Sequence, residues 1–196
     1  MMRLKAIILF LILISGTYAC IRPQYDHFAP IGEDHYLRMV VETSAGNTHC
    51  VQYNSSRNEF IKGSALKSPA PVNFGFIPSL NISTNKENID PVHVMLLSDS
   101  KPAGTILKII PVGMLQLSVS DEEKHFILAI PADPSEQKVK IQNSSELSMT
   151  NPSIFLLLES WLKNYFTTCG VNIQINGWLD ENETWHYLLN TFHLQS

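Results

Sequence analysis

The sequence predicts one mainly β domain, either of the α+β class or a closed barrel with helices packed outside. Short runs rich in β-branched and aromatic residues recur between residues 36 and 130, whereas helical spacing appears only near the end. No internal repeat or low-complexity linker divides the sequence. The 196 residues are 44% hydrophobic, which is enough to bury a core.

The strand predictions rest on extended apolar runs that Pro and Gly interrupt. An alternating stretch after residue 170, GVNIQINGW, predicts one further strand with Val171, Ile173 and Ile175 on one face. The acidic stretch DEEKH (121–125) predicts a solvated turn. The runs before it predict strands at residues 36–42, 50–53, 92–97, 105–110 and 126–130.

Two helices are predicted late in the chain. The first begins at Asn151-Pro152, a capping residue followed by proline in the first turn, and the second begins near Asp180. Each carries an apolar stripe at helical spacing, so both should pack on the core. The stripes are Ile154, Leu157, Leu158, Trp161 and Tyr165 in the first helix, and Trp185, Leu188, Leu189 and Phe192 in the second.

The N-terminus has the pattern of a secretory signal peptide. Arg3 and Lys5 precede an uncharged apolar run, and small residues follow up to Ala19. We therefore expect a signal peptide at residues 1–19, a leader at 20–34, a domain at 35–196, and a secreted product. After cleavage no apolar run approaches the roughly 20 residues that a spanning helix needs, so no membrane association is expected.

Two further features fit an exported chain. Four Asn-X-Ser/Thr sequons predict glycosylation at Asn54, Asn81, Asn143 and Asn182. An oxidising route would favour a disulfide among Cys20, Cys50 and Cys169. Three thiols leave one unpaired, and their spacing does not choose the pair.

The charge balance argues against a nucleic-acid partner. The formal net charge is −4, and the predicted signal peptide holds two of the 14 basic residues and none of the 18 acidic ones. The remainder is therefore more acidic still. No basic patch is present to neutralise phosphates along a nucleic acid.

One polar group lies at the entrance of a predicted strand. In NIDPVHVMLLSD (88–99), Asn88, Asp90 and His93 offer oxygen and nitrogen donors just before the apolar run. Two interpretations remain open at this point. The group is either a metal site, intact or degenerate, or a loop in which Asp90 caps a turn beside Pro91.

Four longer phrases of the sequence favour the first interpretation. PVNFGFIP (71–78), DPVHVMLL (90–97), AGTILKIIPVGML (103–115) and FILAIPADP (126–134) occur in this order. They resemble the type I soluble inorganic pyrophosphatases, and the likeness runs from about residue 35 to 192. The resemblance implies a small closed five-stranded, OB-like β-barrel with flanking helices. It also implies hydrolysis of pyrophosphate to two phosphates by several Mg²⁺ ions in a cup of carboxylates.

Carried over residue by residue, the resemblance implies a degenerate metal site. Glu42 stands where the family has its first carboxylate, and Asn88, Asp90 and His93 stand for three aspartates. In an active protein, Asp90 would be the catalytic ligand that bridges the metals. Asn is neutral and His is a softer nitrogen ligand, so magnesium binding is expected to be weakened.

The substrate-binding positions have changed as well. Lys62 is the best match to the family's arginine, although a lysine lacks the bidentate fork. Phe74 stands for a tyrosine and lacks its hydroxyl, and Tyr53 stands for an acid on the second strand. Val51 or Gln52 matches a lysine there, and Trp161-Leu162 matches a Tyr-Lys pair on the late helix.

The second acidic motif of the family, D-x-x-x-x-D-x-K, reads here as Val119, Lys124 and Phe126. A register shift toward the acids at 121–123 would recover one ligand, but not both together with the lysine. If Lys124 faces the cup, its charge would repel Mg²⁺.

Two main hypotheses follow. The first is a secreted pseudoenzyme whose cup has become a neutral pocket for another ligand or a protein partner, because loss of several preorganised charges leaves little catalysis. The second is a hydrolase of pyrophosphate, or of another phosphate ligand, that uses fewer metals on Glu42, Asp90 and His93, with Lys62 on the phosphate. A purely structural role is the third interpretation. The sequence does not indicate an oligomeric state.

Overall fold

The computed structural model describes residues 23–85, 88–120 and 122–193, with side chains for all of these except 83–85, 88, 89 and 193. The predicted signal peptide and Cys20 lie outside the described residues. The strands are β1 (Leu37–Thr43), β2 (His49–Asn54), β3 (Glu59–Ala65), β4 (Asn73–Asn85), β5 (Asn88–Leu96), β6 (Ile106–Val119), β7 (Glu122–Pro131) and β8 (Ile173–Leu179). The helices are α1 (Ser144–Thr150), α2 (Ser153–Thr168) and α3 (Glu181–His193), and short 3₁₀ turns lie at Tyr25–His27 and Pro134–Glu136.

Five of the described strands form a ring. The order β1-β4-β5-β7-β6 is completed because β1 also pairs with the first residues of β6. Strand β8 pairs with the second half of β6, and β2-β3 form a separate hairpin. Only the β5–β7 pair in this ring is parallel. The ladders of β1 are short, three residue pairs to β4 and four to β6, so the sheet is ring-like rather than a strictly closed cylinder. The predicted mainly β fold with a five-stranded barrel and flanking helices is confirmed.

The central strand β5 is apolar on both faces because two cores meet at it. Val92, Val94 and Leu96 pack inside the ring with Leu188 of α3, whereas Met95 and Leu97 pack under α1 and α2. This arrangement explains the continuous apolar run after Pro91, which a strand exposed on one face would not need. The cleft between the ring and α2 lies on the face of β5 that carries Met95.

Both predicted late helices and the strand between them are present. Trp161, predicted as core, is only 8% exposed, and its indole N–H donates to the carbonyl oxygens of Ser68 (3.3 Å) and Pro69 (3.0 Å). No helix in the described part of the chain is long and apolar enough to cross a membrane.

Three elements were not predicted. The first is α1, which Asn143 caps by accepting a hydrogen bond from the Glu146 amide at 2.8 Å. The other two are strands β3 and β4, whose sequences lack a clear strand pattern. Strand β3 is mostly exposed and polar, and Gly75 and Pro78 interrupt β4.

The prediction of a solvated turn at 121–125 was wrong. Strand β7 already begins at Glu122, and Lys124 and His125 are half-buried on it. The reason is the ten-residue antiparallel ladder between β6 and β7, which carries these charged residues into the sheet by pairing Lys124 with Leu117 and His125 with Gln116.

Candidate functional site

The carboxylate of Asp90 is held by two cationic or polar partners. The ammonium of Lys124 forms an ion pair with Oδ2, and Nε2 of His93 lies 3.6 Å from Oδ1. The parallel register that sets His93 beside Phe126 brings Lys124, two residues earlier, to this end of β5. The interaction with His93 and the bond from Lys124 hold the pKa of Asp90 well below its usual range, although partial burial opposes them.

Glu42 lies deeper, on β1. Its Oε1 accepts a hydrogen bond from the Tyr53 amide at 2.7 Å. Burial raises the pKa of Glu42, while the Tyr53 bond and the nearby His93 act in the opposite direction. Glu42 is therefore less readily ionised than a carboxyl group in water.

A cavity of about 120 Å³ lies beside Glu42, between the strands and α2. Its walls are mainly aromatic and aliphatic, and no Lys or Arg among the described residues lines it. The lining residues are Glu42, Thr43, Cys50, Val51, Gln52, Leu66, Phe74, Gly75, His93, Phe126, Trp161, Leu162 and Tyr165.

Two stacks of rings line this cavity. Phe74 stacks on Trp161 with ring centroids 4.7 Å apart and planes 23° apart, and Trp161 stacks on Tyr165 at 5.5 Å and 3°. His93 stacks on Phe126 at 5.2 Å and 16°. Phe74, which the sequence resemblance matches to a tyrosine of the family, is thus part of an apolar wall.

The structure gathers some of the predicted site residues and separates others. Glu42, Phe74 and His93 line the cavity, and Asp90 lies next to it through His93. Lys62 is exposed on β3, where it pairs with Val51, and is not part of the lining. The side chain of Asn88 lies outside the described residues.

Tyr53, which stands for an acid on the second strand, is directed to the leader. Its hydroxyl lies 2.8 Å from Oδ1 of Asn58 and 3.2 Å from Oδ1 of Asp26, and its ring packs edge-on against Tyr25. Residues of the leader therefore use a position that the resemblance assigns to the cup.

Tyr165 and Cys50 line the cavity, although the sequence predicts no site role for either. The Tyr165 hydroxyl is 3.7 Å from Sγ of Cys50, and burial raises the pKa of Tyr165. Among the described residues Cys50 and Cys169 are both free thiols. The available signal is the helical spacing that places Tyr165 one turn after Trp161, a pattern that by itself predicts core packing.

Replacing Asp90 with asparagine should lower stability in a pH-dependent manner. The folded pKa of Asp90 lies below its unfolded value, so the ion pair stabilises the protein fully at neutral pH and is lost as pH falls below about 4. We expect Asp90→Asn to lower the free energy of unfolding by about 1–2 kcal/mol at neutral pH, and by less at pH 3. Urea unfolding at both pH values measures this difference.

The control is Asp99→Asn, which removes an exposed carboxylate 2.8 Å from Lys138. This control substitution should lower the free energy of unfolding by only about 0.5 kcal/mol, as for other exposed ion pairs. A loss of stability in Asp90→Asn that is equally large at pH 3 and pH 7 would contradict the assignment of this ion pair.

No group of three or more His, Cys, Asp and Glu side chains in the described part of the chain is arranged to hold a metal ion. Pyrophosphate chemistry needs oxygen ligands and positive charge around the phosphates. The described cavity instead offers one buried carboxyl group and aromatic rings.

Comparison with known proteins agrees with the motifs and the fold. The family model for inorganic pyrophosphatase matches residues 39–194. No curated protein sequence matches the chain. Two similar solved structures are an inorganic pyrophosphatase from Neisseria gonorrhoeae (18% identity, TM-score 0.74, covering 87% of this chain and 98% of that one) and one from Thermus thermophilus (16% identity, TM-score 0.73, covering 85% and 95%). The chain belongs to the inorganic pyrophosphatase family.

Proposed function

We propose that this protein is a secreted member of the family that has lost most or all diphosphate hydrolysis and uses the former active site as a neutral binding pocket. The observation that carries the proposal is the ion pair between Lys124 and Asp90. A lysine stands where the family resemblance places an aspartate, and its ammonium binds the one aspartate of the triple motif that is retained.

The donor set fits Mg²⁺ poorly. Magnesium demands near-octahedral coordination by oxygen ligands and usually one or two carboxylates free to bind it. Asp90 is already neutralised by Lys124, and a second cation beside that ammonium would be repelled. Burial favours the protonated form of Glu42, which is a poor metal ligand.

The described lining of the cavity also lacks the Lys and Arg side chains that would stabilise the transition state. Phosphoryl transfer depends on cations that take up charge on the equatorial oxygens. Lys62 is exposed outside the cavity. The positions matched to the family's lysines carry Val51 or Gln52, Phe126 and Leu162. Removal of one such group costs about 10²–10³ in rate, so the combined loss supports a pseudoenzyme.

A second candidate function rests on the proximity of His93 to Asp90, 3.6 Å apart. Asp90 is readily ionised, because its pKa is lowered, and an imidazole beside it could hold a transition metal. In this alternative the protein hydrolyses pyrophosphate with fewer metals, and Lys62 moves onto the phosphate.

Secretion is the remaining part of the proposal, and it is supported by the sequence. The charged start followed by an apolar run and small residues is the pattern of a cleaved signal, and the four sequons fit the same route. The side chains of Asn81 and Asn182 are exposed, as acceptor residues must be.

A direct test is phosphate release from pyrophosphate with Mg²⁺, Mn²⁺ or Zn²⁺. The protein is collected from the medium of secreting eukaryotic cells, where its intact mass also reports cleavage after Ala19 and glycan attachment. We expect no phosphate release above a protein-free blank, and no rise in melting temperature with any of the metals. An active inorganic pyrophosphatase, assayed in parallel, shows that the reagents work.

Two variants make the result decisive. Turnover that is abolished by Asp90→Ala but kept in the exposed control Asp99→Ala would contradict loss of hydrolysis and support the second candidate. Phosphate release that is unchanged in Asp90→Ala would come from a contaminating enzyme and would leave the loss of activity standing.

A further inference from the structure

We propose that the cavity beside Glu42 binds a neutral molecule built on a single aromatic ring with a hydrogen-bonding substituent. This inference rests on the proposed function, since it requires that the former cup is no longer a diphosphate site. It adds the chemical class of the ligand.

The shape of the walls selects a planar ligand. The stack Phe74-Trp161-Tyr165 and the stack His93-Phe126 both line the same cavity. The planes of adjacent rings in each stack lie within 23° of one another. Aromatic rings prefer offset or edge-to-face neighbours at centroid distances of about 4.5–7 Å. A further ring entering the cavity finds such partners in the lining.

These walls are fixed before a ligand arrives. The Trp161 N–H is bound to two backbone carbonyls, and the Thr43 hydroxyl is bound to the Val51 carbonyl at 2.9 Å. Because these polar groups are already satisfied, the lining residues that carry them offer mainly carbon surface to the cavity. A preformed pocket also loses little conformational entropy when it binds.

The volume limits the ligand to about one ring. The cavity holds about 120 Å³, slightly less than the dry cavity of about 150 Å³ that accepts benzene in an engineered protein core. A fused two-ring system would need the walls to separate.

The charge of the lining excludes anions. Glu42 is its acidic group, and the described lining contains no Lys or Arg to balance a phosphate or carboxylate. Oε1 of Glu42 accepts a hydrogen bond from the Tyr53 amide, so we assign the ligand to the second oxygen. A primary amide can pair with that oxygen whether the group is ionised or protonated, because it both donates and accepts.

The test uses benzamide as the probe, with ligand-observed NMR on the full secreted protein. We expect a Kd of order 1 mM or tighter, which is reasonable for a fragment of this size. Cyclohexanecarboxamide keeps the amide and the size but has no aromatic ring, and it should bind at least five-fold more weakly. Equal affinity for the two compounds would overturn the proposal.

A matched pair of variants locates the site. Val51→Phe fills the cavity from β2 and should weaken benzamide binding at least ten-fold. Ile61→Phe adds a phenyl ring at an exposed position on β3 outside the cavity. The affinity of this variant for benzamide should remain within two-fold of that of the parent protein. Unchanged binding in a folded Val51→Phe protein would place the ligand elsewhere and sink the proposal.

A second measurement needs no variant. Benzamide should shift the methyl signals of Val51, Leu66 and Leu162 by its ring current, and leave the methyl signal of Met149, which is 81% exposed on α1, unchanged. If phosphate release is absent and benzamide fails to bind, only this inference fails. If Asp90-dependent phosphate release is found, the proposed function fails independently of the benzamide result.

Discussion

Replacing Asn73 with leucine is expected to lower the free energy of unfolding by about 3–5 kcal/mol. Asn73 is fully buried at the start of β4. Its Oδ1 accepts hydrogen bonds from the amides of Ala45 (3.0 Å) and Lys101 (2.8 Å). Its Nδ2 donates to Ser98 Oγ (3.0 Å) and to the Asp99 carbonyl (2.9 Å).

The size of this effect comes from the partners that remain. Leucine has a similar volume but no polar atoms, so the two backbone amides and the Asp99 carbonyl lose their partner in a partly buried place. Each buried polar group left unsatisfied costs about 1–3 kcal/mol, and the costs do not add fully. Two loops and the first residue of β4 are joined by this one side chain.

Urea-induced unfolding followed by circular dichroism measures the change. Asn190→Leu, on the exposed face of α3, is the matched control and should change stability by no more than about 0.5 kcal/mol. An Asn73→Leu protein within 1 kcal/mol of the parent would show that the hydrogen-bond network has little energetic weight.

Gly75→Ala should lower the free energy of unfolding by a similar amount, about 3 kcal/mol or more. A Cβ at this position would lie 1.9 Å from the carbonyl oxygen of Val40 and 2.9 Å from its carbonyl carbon. These atoms are backbone, so no side-chain rotation relieves the clash. Strands β1 and β4, which pair here through Val41 and Gly75, would have to separate.

The matched control is Gly63→Ala on β3. The nearest atom to a Cβ there is the Cys50 carbonyl oxygen at 3.5 Å, an ordinary contact. Its unfolding midpoint should stay close to that of the parent, and Gly75→Ala should unfold at much lower urea or fail to fold. Equal midpoints for the two alanine variants would contradict the close approach of β1 and β4.

Both residues belong to PVNFGFIP, one of the phrases that carries the family resemblance. Both residues stabilise the fold. Asn73 joins two loops to β4, and Gly75 permits the close packing of β1 against β4. These contacts give the phrase a role in folding that does not depend on catalysis. Phe74, which lies between them on β4, lines the cavity instead.

The lysine at position 124 shows where prediction from sequence was limited. The motif comparison matched Lys124 to an acidic position, but the charge run around it predicted a solvated turn. The ammonium of Lys124 reaches Asp90 because of the parallel register of β5 and β7. The two residues are 34 apart in sequence, and no local pattern indicates that register.

The sequence by itself determined the family, the mainly β fold and the late helices, because the ordered phrases and the periodicity of apolar residues are local patterns. It also identified Glu42, Asp90, His93 and Phe74 as the residues to inspect. Only the tertiary structure decided that Asp90 is neutralised by Lys124, that Tyr53 binds the leader and that aromatic rings line the cavity. These features depend on which side chains distant strands and α2 bring within a few ångströms, and the linear order of residues does not encode such distances directly.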